Sequence, residues 1–278
     1  MLRGSVGALL LFTDDSGGLW RSDGTRAGTF ALAAHAEGVA VLAQTALFLV
    51  RASDAGPLQV WATDGTAAGT RALVDPFDTG TVQPSSWSTF QGFASGGKVF
   101  WVLSDSPDSE LLVSDGTRSG SRALLVLPES DSPRLFTAAA GRLFFLATRA
   151  QGEQLWTSDG TAAGTRQITH FVAPVPFPAT ATLKAVATGV DFAADDGVHG
   201  LNVWRSNGTA AGTVRITALA TPFVPQIEEI GGRILAVALD ATSVYRLFAS
   251  SGAPASTISL GALEVSPYAG LATLDRAP

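Results

Sequence analysis

The chain contains no cysteine, which excludes disulfides, thiolate metal centres and a cysteine nucleophile. Charge is scarce: 15% of the 278 residues are Asp, Glu, Lys or Arg, against roughly 25% in an average soluble domain. Basic charge is scarcer still, with only two lysines, Lys98 and Lys184, and a formal net charge of −6. A nucleic-acid or anionic-membrane partner would need clustered Lys and Arg, so both are excluded. No apolar run reaches the roughly 18–20 residues of a membrane helix, and no membrane insertion is expected. The opening MLRGSVGALLLFTDD has an apolar stretch after Arg3 but no A-x-A cleavage site, so it reads as a first β-strand and not as a signal peptide. Sustained helical periodicity is missing too. So are the G-x-S-x-G elbow, the H-E-x-x-H pair and the phosphate-binding loop.

What the chain does have is apolar residues, 46% of the total, and one short string written again and again. LWTSDGTAAGT (155–165) nearly recurs as VWATDGTAAGT (60–70) and VWRSNGTAAGT (203–213). Anchored on the residue before the first glycine, the copies stand at Asp23, Asp64, Asp115, Asp159 and Asn207, in steps of 41, 51, 44 and 48 residues. A worn sixth copy has Ser251-Gly252. Three residues before each anchor is a large apolar side chain: Trp20, Trp61, Leu112, Trp156, Trp204 and Phe248. Two apolar runs precede each copy and one follows it, so each unit holds four short strands, a to d. Strand b is nearly all apolar, as in a sheet covered on both faces.

Units of this kind predict an all-β fold, a six-bladed β-propeller with four antiparallel strands per blade. The expected blades are 38–75, 88–127, 133–170, 182–219 and 226–263, with the first split between 5–33 and 265–275. In that reading the chain enters at strand b, GALLLF, and the C-terminal strand VSPYAGLATL closes the first blade, leaving no open edge.

The pairs Asp23-Gly24, Asp64-Gly65, Asp115-Gly116, Asp159-Gly160 and Asn207-Gly208 sit between strands c and d, where they are expected to build structural turns. The later glycine of each copy is expected to serve a bulge or a close backbone approach. One carboxylate per turn is too few for calcium's six to eight oxygens. Binding chemistry is expected on the other loops: the acidic b–c loops with Asp14, Asp54, Asp105, Asp195 and Asp196, and the long d–a loops with Trp87 and Phe177. His35, His170 and His199 fall in different units without metal-ligand spacing, so no metal site or cofactor is expected.

FAADDGVHGLNVWRSNGTAAGT (192–213) and GEQLWTSDGTAAGT (152–165) resemble the ELWxxDGT-repeat proteins of bacteria. The resemblance touches the first five units and implies an exported or cell-surface protein. The family's Glu before Leu stands here only as Glu110; the equivalent positions carry Gly18, Gln59, Gln154 and Asn202. The functional expectation is a non-enzymatic, monomeric binding scaffold for a protein, peptide or glycan. A propeller enzyme of glycosidase or lyase type is one alternative, and a calcium-stabilised structural module is the other.

Overall fold

Strands in this chain are specified by β-branched and aromatic residues between Gly, Asp and Ser turns. The computed structural model describes residues 1–51, 58–73, 91–104, 108–128, 133–149, 152–172, 182–219, 221, 223–240 and 242–263. They form six four-stranded antiparallel sheets, each a simple meander in chain order. The first comprises β1 (Leu2–Val6), β2 (Leu9–Thr13), β3 (Leu19–Ser22) and β4 (Phe30–Ala33). The second comprises β5 (Ala36–Leu42), β6 (Thr45–Arg51), β7 (Leu58–Thr63) and β8 (Arg71–Ala72). The third comprises β9 (Gly92–Ser95), β10 (Lys98–Ser104), β11 (Asp108–Ser114) and β12 (Arg122–Pro128). The fourth holds β13 (Arg134–Ala139), β14 (Arg142–Arg149), β15 (Gly152–Ser158) and β16 (Arg166–Gln167). The fifth holds β17 (Leu183–Val186), β18 (Gly189–Asp195), β19 (Leu201–Ser206) and β20 (Thr213–Arg215). The sixth has β21 (Phe223–Ile230), β22 (Arg233–Leu239), β23 (Tyr245–Ser250) and β24 (Ile258–Ala262), with a 3-10 turn at Pro254–Ser256.

The chain divides into two compact units, Met1–Pro133 with Ser158–Thr165, and Arg134–Thr157 with Arg166–Pro278. Inside the first, β1 lies against β5 and β5 against β9. Inside the second, β13 lies against β17 and β17 against β21. Within each unit, consecutive sheets therefore meet along their first strands, and the cores fill the space between neighbours. Leu11, Leu19 and Phe48 close the gap between the first and second sheets, with Trp61 packed against them. Leu47, Val60, Trp101 and Leu112 join the second to the third. Phe144, Phe192 and Trp204 join the fourth to the fifth, and Val203, Val224 and Ala236 the fifth to the sixth. The all-apolar b strands are covered on both faces: Val99 to Leu103 and Leu143 to Ala147 are buried without a break.

The large residue before each turn faces strand b across the sheet. Trp20 pairs with Phe12, Trp61 with Phe48 and Trp204 with Phe192. In the third sheet, where Leu112 replaces the tryptophan, its partner is Trp101. The indole has crossed to the opposite strand, keeping the pair's volume, and its Nε1 donates to Gly38 O at 2.7 Å.

One expectation is corrected. The first sheet does not lack strand a, because Leu2–Val6 fills that place and pairs with β2. Its polar, glycine-containing sequence LRGSV carries a register shift between Leu2 and Gly4, which hides the alternation a strand normally shows. The terminal ammonium of Met1 donates to Thr13 O, and Arg3 Nε to Thr13 Oγ1, fastening the strand. The segment 265–275, assigned to this blade from the sequence, lies outside the described residues.

Candidate functional site

Each repeated turn is a closed hydrogen-bond network. In the third, Asp115 Oδ1 accepts from the Thr117 backbone N–H at 2.9 Å and from its hydroxyl at 2.7 Å. Thr117 Oγ1 accepts from Gly120 N at 3.0 Å, and the Ser121 hydroxyl donates to Thr117 O at 2.6 Å. Ser114 Oγ lies 2.7 Å from Ser121 Oγ and accepts from Gly116 N at 3.1 Å. Gly116 adopts φ +88, a left-handed conformation that strains any residue with a Cβ. The same bonds recur around Asp23, Asp64, Asp159 and Asn207. Asn207 makes them with an amide oxygen, so the network needs an acceptor and not a charge. Where the carboxylates of Asp23, Asp64 and Asp115 stand, the threonine hydrogen bonds hold them below the usual range.

The later glycine has a different reason from the one expected. A Cβ on Gly28, Gly69, Gly120, Gly164 or Gly212 would fall about 2 Å from the anchor's own side chain. The glycine leaves room for the Asp or Asn head group to fold back over the turn. Arginines then tie one sheet to the next turn: Arg21 donates to Gly65 O at 3.2 Å and Arg122 to Gly160 O at 2.5 Å.

The b–c carboxylates are used in the same manner. Asp14 Oδ1 takes Ser16 N, Ser16 Oγ and Gly18 N, and its Oδ2 takes Trp20 Nε1 at 2.7 Å. Hydrogen bonding, led by the Ser16 hydroxyl, pulls this carboxyl down to about 2. Asp240 repeats the arrangement with Thr242, Val244 and Arg246. Asp195 accepts from Gly197 N. Asp196 accepts from Val198 N and His199 N, and its Oδ2 lies 2.7 Å from His199 Nδ1. The structure thus places Asp14, Asp195 and Asp196 as hairpin anchors in two separate units. Asp54, Asp105, Trp87 and Phe177 lie outside the described residues. His170 is paired with Gln167 and His199 with Asp196, and no metal-holding group of three His, Asp or Glu occurs among the described residues. The loop aromatic Phe171 packs on Trp204, ring centroids 4.7 Å apart.

The position two before each tryptophan, which the sequence marks but gives no role, is structural. Gln154 is buried, its Oε1 taking Thr169 Oγ1 and Phe171 N, while its Nε2 gives to Phe171 O at 2.9 Å. Asn202 grips Leu219 N at 2.8 Å. A buried amide at this point of strand c holds the chain as it leaves strand d. The partner is 17 residues on, so local spacing carries no trace of it.

In the third sheet the same position is Glu110, 3% exposed, whose Oε2 has no hydrogen-bond partner among the described residues. Burial pushes its carboxyl up. The folded state therefore binds a proton that the unfolded chain releases earlier, and stability falls as pH rises from the ordinary carboxylate range to the raised value. Glu110→Gln, which installs the residue found at 154, is expected to stabilise the protein by about 2 kcal/mol above that window. The gain should shrink as pH drops through it. Urea midpoints measured from pH 4 to pH 8 check both points; equal midpoints at every pH would refute the assignment.

No protein-family model matches the chain, and no curated protein matches it. Among solved structures, a puromycin hydrolase is similar over 95% of the chain, at 18% identity and TM-score 0.45. The computationally designed Ika8 protein is similar over 92%, at 13% identity and TM-score 0.50. The β-propeller domain of the Trilobed protease from Pyrococcus furiosus is similar over 94%, at 12% identity and TM-score 0.39. The chain spans 45% of the puromycin hydrolase, 71% of Ika8 and 80% of the propeller domain. Identities this low speak to fold alone. The non-enzymatic binding scaffold expected from the sequence is corrected: the similar natural proteins are named as a puromycin hydrolase and as the β-propeller domain of a protease.

Proposed function

We propose that the chain is the β-propeller part of a peptidase-like or puromycin-hydrolase-like enzyme, its six sheets serving as blades and the reacting groups belonging to a separate domain. The observation that carries the reading is the use of the chain's carboxylates. Asp14, Asp23, Asp64, Asp115, Asp196 and Asp240 all spend acceptor oxygens on turns, which makes a rigid frame out of residues that could otherwise do acid–base work. The radial meeting of first strands within each unit supports the blade arrangement. The names of the similar proteins supply the chemistry to test, namely hydrolysis of puromycin and of peptides.

The test compares two preparations with the same substrates. The purified chain should release no amine. The natural protein, captured from its own cells with an antibody against this chain, should hydrolyse at least one of them, and the antibody should deplete that activity from the extract. Turnover by the chain alone, or a captured natural protein inert towards every substrate, would overturn the proposal.

A further inference from the structure

The first unit has an open surface cavity of about 340 Å³ between the second and third repeated turns. Its wall combines Ala43 and Gln44 at the β5–β6 hairpin tip, Asp64 and Arg71 of the second turn region, and Gly97 and Asp115 of the third sheet. Asp64 and Asp115 commit Oδ1 to their own threonines, and their Oδ2 atoms accept no hydrogen bond among the described residues. The Arg71 guanidinium and the Gln44 amide make no hydrogen bond there either, although Arg71 is near enough to act on the Asp64 charge. Lys98 acts similarly on Asp115.

At several other turns the equivalent groups are spent or missing, while the fourth sheet keeps an arginine, Arg166. Asp23 Oδ2 pairs with Arg21, and Arg122 donates to Gly160 O. The first and fifth sheets carry Phe30 and Val214 in place of Arg71, and the fifth turn has Asn207 as its anchor. Around this cavity stand two carboxylate oxygens and a guanidinium that make no hydrogen bond among the described residues. The volume lies at the small end of the range for ligand pockets, roughly 300–1,000 Å³.

We propose that the cavity binds a small zwitterion of free amino acid or dipeptide type, its ammonium on the Asp64 and Asp115 Oδ2 atoms and its carboxylate on Arg71. The inference stands whether or not a hydrolase domain accompanies the chain. Charge-assisted bonds at both ends make the ligand's two termini separately testable.

The probe is L-alanyl-L-alanine, titrated calorimetrically against its N-acetyl and C-terminal amide forms. Blocking either end should weaken binding at least tenfold on the unaltered protein. With Arg71→Gln, the dipeptide should bind about tenfold more weakly and amidation should make no further difference. With Asp64→Asn and Asp115→Asn together, acetylation should make no further difference. Asn207 already forms the turn network, so these variants keep the fold, and unchanged melting temperatures check it. No binding up to about 10 mM, equal binding of the blocked forms, or variants that bind like the parent would each overturn the proposal. The blocked-ligand comparison decides the matter even if a variant fails to fold.

Discussion

Gly120→Ala is expected to destabilise the protein by about 3 kcal/mol, far more than one methyl group on a surface turn normally would. The new Cβ would fall 2.0 Å from Asp115 Oδ1 and 2.1 Å from its Cγ, so either the carboxylate leaves the turn or the backbone shifts. If the carboxylate leaves, Thr117 N and Oγ1 lose their acceptor, and the hydroxyl is no longer aligned to receive Gly120 N. The clash is specific and can be relieved. In an Asp115→Ala background the same glycine substitution should cost under about 1 kcal/mol, because nothing remains to collide with it. Denaturant unfolding of the four proteins in the cycle gives the coupling directly. An additive cycle would mean that Gly120 is needed for its backbone and not for the space above it.

Arg205→Met should cost still more, about 4 kcal/mol at pH 8. Arg205 Nε and one terminal nitrogen grip the two oxygens of Asp191 at 2.7 and 2.8 Å, and that nitrogen also reaches Glu229 Oε2 at 2.8 Å. Asp191 is 1% exposed, and burial pushes its carboxyl up despite the arginine. Without the guanidinium the buried charge has no counter-ion, and β18 loses its tie to β21 of the next sheet. The sign of the pH effect follows. The variant's Asp191 is pushed up further, so lowering the pH towards the carboxylate range neutralises it and narrows the gap to the parent. Urea midpoints for both proteins at pH 8 and pH 5 should show a difference clearly larger at pH 8. A gap that widened on acidification would show that Asp191 is not the group left stranded.

These two sites differ in how far the sequence discloses them. The turn is legible because all its parts lie within eight residues and recur: an acceptor, two glycines and three hydroxyls. Even so, the later glycine was assigned a backbone role, since only coordinates show the Asp head group occupying the space above it. Asp191 looked like one more apolar-run residue in VDFAA, and its partner is 14 residues on. The first strand was missed for a related reason. Three of the six sheets begin with a short, mixed strand, LRGSV, GFAS or LKAV, with glycine or charge where an apolar stripe would signal a strand. The apparent loss of tryptophan at Leu112 dissolved once register placed Trp101 opposite it. The segments holding Asp14 and Asp240 are hairpin loops, but their composition could not reveal that both carboxylates spend both oxygens on their own hairpins.

The repeated turn also bears on how the chain finds its shape. A network closed within a handful of residues can assemble in the microseconds typical of hairpins, before any distant segment arrives. Several such nuclei would arise on one chain, each carrying nearly the same label, so a nascent hairpin has more than one plausible neighbour to dock against. What separates right from wrong docking is the part that is not repeated: the indole moved to Trp101, the Arg21 and Arg122 ties, and the Lys184–Glu228 pair between β17 and β21. The irregularities are what give the copies their order.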